Sequence, residues 1–366
     1  MRKNNPNSLY IHIPFCESIC DYCDFAKLQY FHSFADSYLD ALEKELIDRV
    51  CNKSLKTIYI GGGTPTSLDD SQFERLLKMV EPFSNNVLEF TVEANPESLS
   101  LSKIKLMKQY GVNRVSIGVE STDDKILKSI NRKHTFSDVV TAVNNLRENG
   151  IDNINLDLII GLPNVGEKML LKDIKNILSL KPNHISCYSL TVHEHTVFHI
   201  NGIEEPSEDF AFETYKKIND ILSIKGYEHY EVSNWAKPGF RSEHNLTYWR
   251  NEQYYGIGLA ASGYIGDKRY KNTTSFKKYI SFKNEIEEET VSFADQKQYE
   301  IMLRLRTSEG ILLKDFNKKF ACNFYSENKD YIDGCVKDGL LVLKDGRLFT
   351  TFDGMMVLDT ICVHLE

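Results

Sequence analysis

Apolar residues recur along the first half of the chain with two alternating periods. Residues 8–13 alternate as a strand, with Leu9, Ile11 and Ile13 on one side and Ser8, Tyr10 and His12 on the other. Leu39, Leu42, Leu46 and Ile47 then fall at helical spacing and predict a helix over 34–50. Strand patterns return at 57–60, 88–92, 114–119, 155–160 and 184–190. Helical patterns fill the intervals at about 67–80, 101–110, 123–129 with 136–148, and 166–179. Gly61-Gly62-Gly63-Thr64-Pro65, Gly111, Gly150 and Gly161-Leu162-Pro163 punctuate them. Six strand-helix units imply an α/β fold with a parallel sheet and right-handed crossovers. Periodicity alone leaves two architectures, an open doubly wound sheet or a curved, incomplete relative of the eight-stranded barrel.

After Leu190 the pattern changes. A helix is predicted over 207–225, followed by an aromatic, glycine-punctuated region at 227–270. From about Asp295 come helical patterns at 295–306, 313–320 and 326–338, and then two alternating runs joined by Asp345-Gly346, a strong hairpin signal. Helices with one hairpin suggest a C-terminal α+β, winged-helix-like module. Three units are expected: a core at 1–200, a helix plus aromatic segment at 201–290, and the module at 291–366.

The 366 residues carry a formal charge of −8, from 52 acidic and 44 basic side chains, with no basic block. A nucleic-acid partner is therefore disfavoured, and the C-terminal module reads as a packing or partner surface. Residues 1–8 contain no apolar signal region, and no apolar run approaches the roughly 18 residues of a membrane span. A cytoplasmic protein without a transmembrane segment is expected.

The chemistry concentrates where the first strand ends. Cys16, Cys20 and Cys23 form C-x3-C-x2-C, too compact for disulfide pairing of all three and one thiolate short of a closed structural zinc site. Three thiolates on a [4Fe-4S] cluster would leave one iron without a protein ligand, and an open metal position points to chemistry or exchangeable ligand binding. Cys51, Cys187, Cys322, Cys335 and Cys362 are scattered without ligand spacing and read as small apolar residues. Gly62, Gly63 and Thr64, and then Glu93, Glu120 and Asp157, stand at the C-terminal ends of predicted strands, where parallel α/β folds hold ligands. Glycine there suits close backbone approach to a ligand.

This spacing resembles that of the radical S-adenosylmethionine (SAM) superfamily. Within it, Y-x-H-I-P-F-C-x3-C-x-Y-C-x-F from Tyr10 to Phe25, followed by GGGTPT at 61–66, is similar to the HemN/HemW family, which holds oxygen-independent coproporphyrinogen III oxidases and haem chaperones. The resemblance covers essentially the whole chain and implies an incomplete (β/α)6 barrel. It also implies a [4Fe-4S] cluster on Cys16, Cys20 and Cys23 whose open iron is chelated by SAM. An electron donor is implied as well, because one-electron reduction of SAM yields methionine and a 5′-deoxyadenosyl radical. Gly62, Gly63 and Thr64 are then expected to line the methionine of SAM, with Tyr10 and Tyr22 flanking the cofactor. Glu93, Glu120, Arg132 and Asp157 fall at further SAM-contacting positions. Relatives commonly carry glutamine where this chain has Glu120. No protein general base is implied.

Two features separate the branches of that family. Phe25 stands where the oxidases carry a fourth cysteine, and the chain begins only nine residues before Tyr10, without their longer N-terminal arm. His244-Asn245-Leu246-Thr247-Tyr248-Trp249 matches the H-N-x-x-Y-W motif characteristic of the chaperones and implicated there in haem binding. An imidazole beside aromatic faces, with Arg241 and Arg250 nearby, could supply an axial ligand, ring stacking and propionate pairing. Many relatives have histidine at the position of Ser262; His193, His195 and His199 are alternative ligands. The expected role is haem binding and delivery to an acceptor protein. The alternatives are an enzyme, removing two propionate carboxylates from coproporphyrinogen III, and radical modification of RNA.

Overall fold

The computed structural model describes residues 5–365, so residues 1–4, half of the segment read for a leader signal, lie outside the described residues. A nine-stranded sheet dominates it. In chain order its strands are β1 (Ser8–Ile13), β2 (Thr57–Gly62), β3 (Glu89–Ala94), β4 (Arg114–Glu120), β5 (Asn153–Ile160), β6 (His184–Ser189), β7 (Glu228–Glu231), β8 (Asn234–Ala236) and β9 (Tyr255–Ile257). Their spatial order is β9-β1-β2-β3-β4-β5-β6-β8-β7. The run from β9 to β6 is parallel throughout, while β8 and β7 join antiparallel at the far edge. The two edge strands do not pair with each other, so the sheet is not closed.

Alternation along each strand explains how this sheet is used. One face carries Leu9, Ile11, Ile58, Ile60, Phe90, Val92, Val115, Ile117, Leu156 and Ile185, all fully buried in the main apolar core. Crossover helices supply the other side of that core; Asp70–Val80, for example, buries Phe73, Leu76, Leu77 and Val80. The opposite face carries Thr57, Thr91, Arg114, Ser116, Asn155, His184 and Ser186, and these polar residues are buried too. A solvated sheet would leave them exposed; here they form a hydrogen-bonded interior. Ser116 and Asn155 donate to Asp157 at 3.1 and 2.6 Å, and His184 bonds Asn155 at 2.6 Å and Tyr230 at 2.8 Å.

Three strands, β7, β8 and β9, come from the aromatic region, where no strand is predicted. They are three or four residues long, too short to show alternation, and β9 sits parallel beside β1 with Tyr10 opposite Gly256. Gly256 has no room for a side chain, because a Cβ would lie 1.8 Å from the Ser262 carbonyl. The C-terminal segment has a separate apolar core built from Ile301, Phe316, Phe320, Phe324, Ile332, Leu341 and Leu348. Leu341–Lys344 and Arg347–Thr350 form the predicted hairpin, with Asp345 and Gly346 both at positive φ, and Ile311–Leu312 adds a third strand.

Candidate cofactor site at the C-terminal end of the barrel

A cavity of about 410 Å³ opens at the C-terminal ends of β2 to β6. Cys16, Cys20, Tyr22, Cys23, Gly62, Gly63, Thr64, Glu93, Glu120, Arg132 and Asp157, all singled out in the sequence, line it. Local structure aims each of them. The cysteine loop is pinned by Asn131, whose side chain donates to the Ile19 carbonyl at 2.8 Å, and by Asp21, whose amide donates to Ile130 at 3.3 Å. Gly63 and Thr64 continue the sheet by donating to the carbonyls of Ile13 and Phe15, which locks the glycine loop against the cysteine loop. Glu120 sits at a bulge where the β4–β5 register shifts, with φ +63°, a left-handed conformation that a branched or bulky residue would resist.

Packing by itself requires glycine at these positions. A Cβ on Gly61 would lie 2.6 Å from the Glu93 carboxyl, one on Gly62 2.4 Å from the His12 ring, and one on Gly63 2.8 Å from the Phe15 carbonyl. Gly118 leaves space for Arg132 and Glu120, each of which a Cβ would approach to 2.8 Å.

Charge is arranged in the cavity with little compensation. Glu93 accepts from the Tyr59 hydroxyl at 2.6 Å and the Gly62 amide at 3.0 Å, yet burial pushes its carboxyl up to about 7. Burial likewise raises Glu120 and Asp157 above the usual carboxylate range, with Arg132 opposing at Glu120 and hydrogen bonds from Ser186, Asn155 and Ser116 opposing at Asp157. Arg132 stands 3.7 Å from Glu120 and donates to the Gly118 carbonyl and, at 3.6 Å, to Cys20 Sγ, while its Nε has no partner. The three thiols are unpaired, and burial pushes Cys16 up to about 11. Among the described residues no three thiol, imidazole or carboxyl groups converge on a single ion; the thiols are set around the cavity. A metal cluster loaded on these thiols would displace their protons.

Tyr10 is not in this cavity. Its hydroxyl bonds His12 Nδ1 at 2.9 Å, and its side chain faces a second cavity that shares the wall Asp24, Phe25 and Lys27 with the first. Tyr59, Asn95 and Tyr188 belong to the upper site or its support and are missed by motif reading; Tyr59 and Tyr188 share the inward phase of their strands with Gly61 and Ser186.

The helix Glu243–Trp249, which carries the H-N-x-x-Y-W motif, lies at the opposite end of the barrel. Glu89, the first residue of β3, accepts from Ser242 Oγ and from the amides of Glu243 and His244, capping this short helix from below the sheet. His244 is fully buried; its Nδ1 bonds Thr57 at 2.9 Å, its Nε2 bonds Tyr248 at 2.7 Å, and its ring stacks on Tyr59 at 5.1 Å. Burial pushes its pKa down to about 3. Both nitrogens are thus occupied, and His244 has no free lone pair for haem iron, contrary to the expectation. Thr57 begins β2 and Gly62 ends it, so the imidazole sits roughly 17 Å below the glycine loop. The remaining motif residues are similarly engaged. Trp249 packs on Tyr230, Ala236 and Leu246, and the backbone N–H of Asn245 donates to Ser242 Oγ within the helix cap. Arg250 pairs with Glu309 at 2.5 Å and Glu243 at 3.1 Å, and Arg241 with Glu228 at 2.9 Å. Neither guanidinium is left for a propionate.

Comparison with known proteins decides the family. Residues 10–177 match the model of the radical SAM superfamily. The chain is 43% identical over 358 residues to the heme chaperone HemW of Lactococcus lactis subsp. lactis (strain IL1403), across 95% of this chain and 94% of that one. The chain belongs to the HemW family. A second HemW, from Bacillus subtilis (strain 168), is 39% identical over 365 residues, across 96% of each chain. Among solved structures, coproporphyrinogen III oxidase (HemN) from Escherichia coli, a radical SAM enzyme, superposes with a TM-score of 0.84 at 23% identity, covering 98% of this chain and 90% of that one. At that identity the likeness carries the fold alone. In this member of the HemW family, the family motif braces the floor of the barrel and the C-terminal module, which meet through Arg250–Glu309 and through the Ser308 amide on the Tyr230 carbonyl at 2.9 Å. No helix among the described residues is long and apolar enough to cross a membrane.

Proposed function

We propose that this chain is a haem chaperone that carries a [4Fe-4S] cluster and SAM in the upper cavity and passes haem to an acceptor protein. The observation that carries the reading is similarity along nearly the whole chain, at 43% and 39% identity, to proteins named heme chaperone HemW, joined to an exposed Phe25 where a fourth cysteine would stand. Cys16, Cys20 and Cys23 would hold the cluster. Glu93, Glu120 and Asp157 would face the positive sulfonium and ammonium of SAM, and Arg132 its carboxylate, with Tyr22, Gly62, Gly63 and Thr64 closing around them. When bound, the cluster and SAM supply one-electron chemistry, for which a reducing partner is needed. The protein's own part is to orient SAM and to exclude water from a buried, carboxyl-rich pocket. On this reading the core expected over 1–200 carries the cluster and SAM, the segment 201–290 completes the sheet around it, and 291–366 is an attached partner module.

The test is anaerobic. Reconstituted protein is scored in parallel for haem retention and for decarboxylation of coproporphyrinogen III with SAM and a reductant. About one haem per chain, released to an apo-haemoprotein and without decarboxylation, is the expected result. Turnover of coproporphyrinogen without haem binding would replace the chaperone reading by the oxidase one.

A further inference from the structure

The unclosed sheet leaves a space at its β9 edge. A second cavity, of about 710 Å³, lies there beside the residues that follow β9, Leu259 to Ser262. Asp24, Phe25 and Lys27 line both this cavity and the upper one, so the segment after Cys23 is their common wall. Tyr10, Tyr248, Tyr254 and Phe276 add aromatic faces to its lining. Phe276 continues outward to the exposed Phe34 at 5.5 Å, which meets the exposed Phe31 at 5.6 Å. Two groups here are unused. The Tyr254 hydroxyl makes no hydrogen bond among the described residues, although its ring packs on Tyr248 at 4.6 Å. Lys271 ends the strand Lys268–Lys271 of a separate three-stranded sheet, opposite Glu287 of the strand Glu287–Thr290, and forms no ion pair among the described residues.

We propose that this lateral cavity is where haem sits, with its ring against Tyr248, Tyr254 and Phe276 and a propionate on Lys271. The inference rests on the haem-chaperone reading and adds the location of the cargo. Three observations favour the lateral cavity over other places. A flat apolar ring with two carboxylates suits aromatic faces rimmed by a lysine, and the volume falls in the range of about 300–1,000 Å³ that small-molecule sites occupy. The upper cavity sets Glu93, Glu120 and Asp157 against the single Arg132, a carboxyl excess that disfavours two further carboxylates. His244 is closed into the core with both nitrogens engaged, and His12, which does face the lateral cavity, bonds Tyr10 through Nδ1 and the Ala26 carbonyl at 2.7 Å through Nε2. The Tyr254 oxygen is the free donor, of a kind that ligates haem iron in some haem proteins. Haem placed there touches the loop that holds the cysteines, so cargo and cluster share the residues between them.

The experiment titrates hemin into cluster-loaded protein and reads affinity, stoichiometry and the absorption spectrum. Lys271→Glu, at an exposed position, should weaken hemin about tenfold, the scale of one charged contact. Hemin dimethyl ester, which lacks the carboxylates, should bind wild type and this variant alike. Lys175→Glu, in a separate lysine-lined groove on the outer face, should leave binding unchanged. Tyr254→Phe should alter the visible bands of the bound iron. Ser262→His places an imidazole at the cavity and should convert the spectrum to a six-coordinate, low-spin form while keeping one haem per chain. Wild-type binding with unchanged affinity in Lys271→Glu, or two haems per chain in Ser262→His, overturns this location and leaves the chaperone reading standing. Failure of the wild type to bind hemin at all overturns the chaperone reading, and the location with it.

Discussion

The two ends of the barrel were marked by equally specific sequence motifs, and they have opposite chemical character. At the C-terminal end the marked side chains surround a void: three free thiols, carboxyls held above their usual range by burial, and an arginine with an unpartnered Nε. At the N-terminal end the polar groups are closed on one another, although the Tyr248 ring faces the lateral cavity. His244, Tyr248, Thr57, Ser8 and Thr247 satisfy one another, and Glu89 caps the helix that carries the motif. Unsatisfied buried groups are costly unless something binds them, whereas satisfied ones hold a fold together. The comparison therefore separates a motif whose polar groups line an open cavity from one whose histidine is closed into the barrel floor beneath the C-terminal module.

The largest expected effect is at the upper end. Serine at Cys16, Cys20 or Cys23 should abolish iron and sulfide uptake on anaerobic reconstitution, and serine at Cys51 should not. Full iron content in all three variants would remove the distinction between the ends from above. His244→Ala attacks it from below. The lost ring leaves Thr57 and Tyr248 without their partner and a hole beneath Tyr59, so denaturant unfolding should show a loss of about 3–5 kcal/mol. The folded fraction should still bind haem with wild-type stoichiometry; selective loss of haem at unchanged stability would make His244 a ligand after all.

A pH series sharpens the contrast. Burial raises the Glu93 carboxyl from an ordinary value near 4.5 to about 7. The folded state then holds a proton that the unfolded state releases, so its stabilising contribution is complete below about 4.5 and is lost as pH rises to about 7. Glu93→Gln should flatten the stability profile across that window. SAM binding runs the other way, since its cationic groups favour the ionised carboxylate: affinity should rise as pH passes through about 7 in wild type and not in Glu93→Gln. Isothermal titration at pH 6 and 8 reads this directly. The smallest effect is at the floor, where Ser8→Ala removes bonds to Thr57 and Thr247 at 2.8 and 3.0 Å. It should cost about 1 kcal/mol in unfolding experiments and leave cluster and SAM binding untouched.

Much of this molecule was legible from local pattern. Alternation at 8–13, 57–60, 88–92, 114–119, 155–160 and 184–190 predicts the six parallel strands, because a strand with two different faces must alternate whatever lies beyond it. The cysteine spacing and the glycine run predict the upper cavity for a similar reason: close neighbours in sequence are held on one loop. The helices that were predicted begin and end within a few residues of their limits, whereas the short helices Val197–Ile200, Glu243–Trp249, Phe276–Ile280, Phe352–Met356 and Leu358–Val363 were not predicted. Asp69, whose side chain accepts from the Gln72 amide, places the start of Asp70–Val80 after a short turn.

What sequence could not determine depends on which distant segments meet. Nothing local in Tyr255–Ile257 says that it returns to lie beside β1, and three residues are too few to display a period. That return places Tyr254, Ser262 and Lys271 next to the cysteine loop and creates the lateral cavity. The fate of His244 was equally hidden. An imidazole among aromatic residues can be a free ligand or a buried brace, and the choice rests on Thr57, 187 residues away, and on Tyr248 filling its two hydrogen-bonding positions. Residue type and spacing determined what chemistry was present; only the tertiary structure decided which groups were already spent on one another.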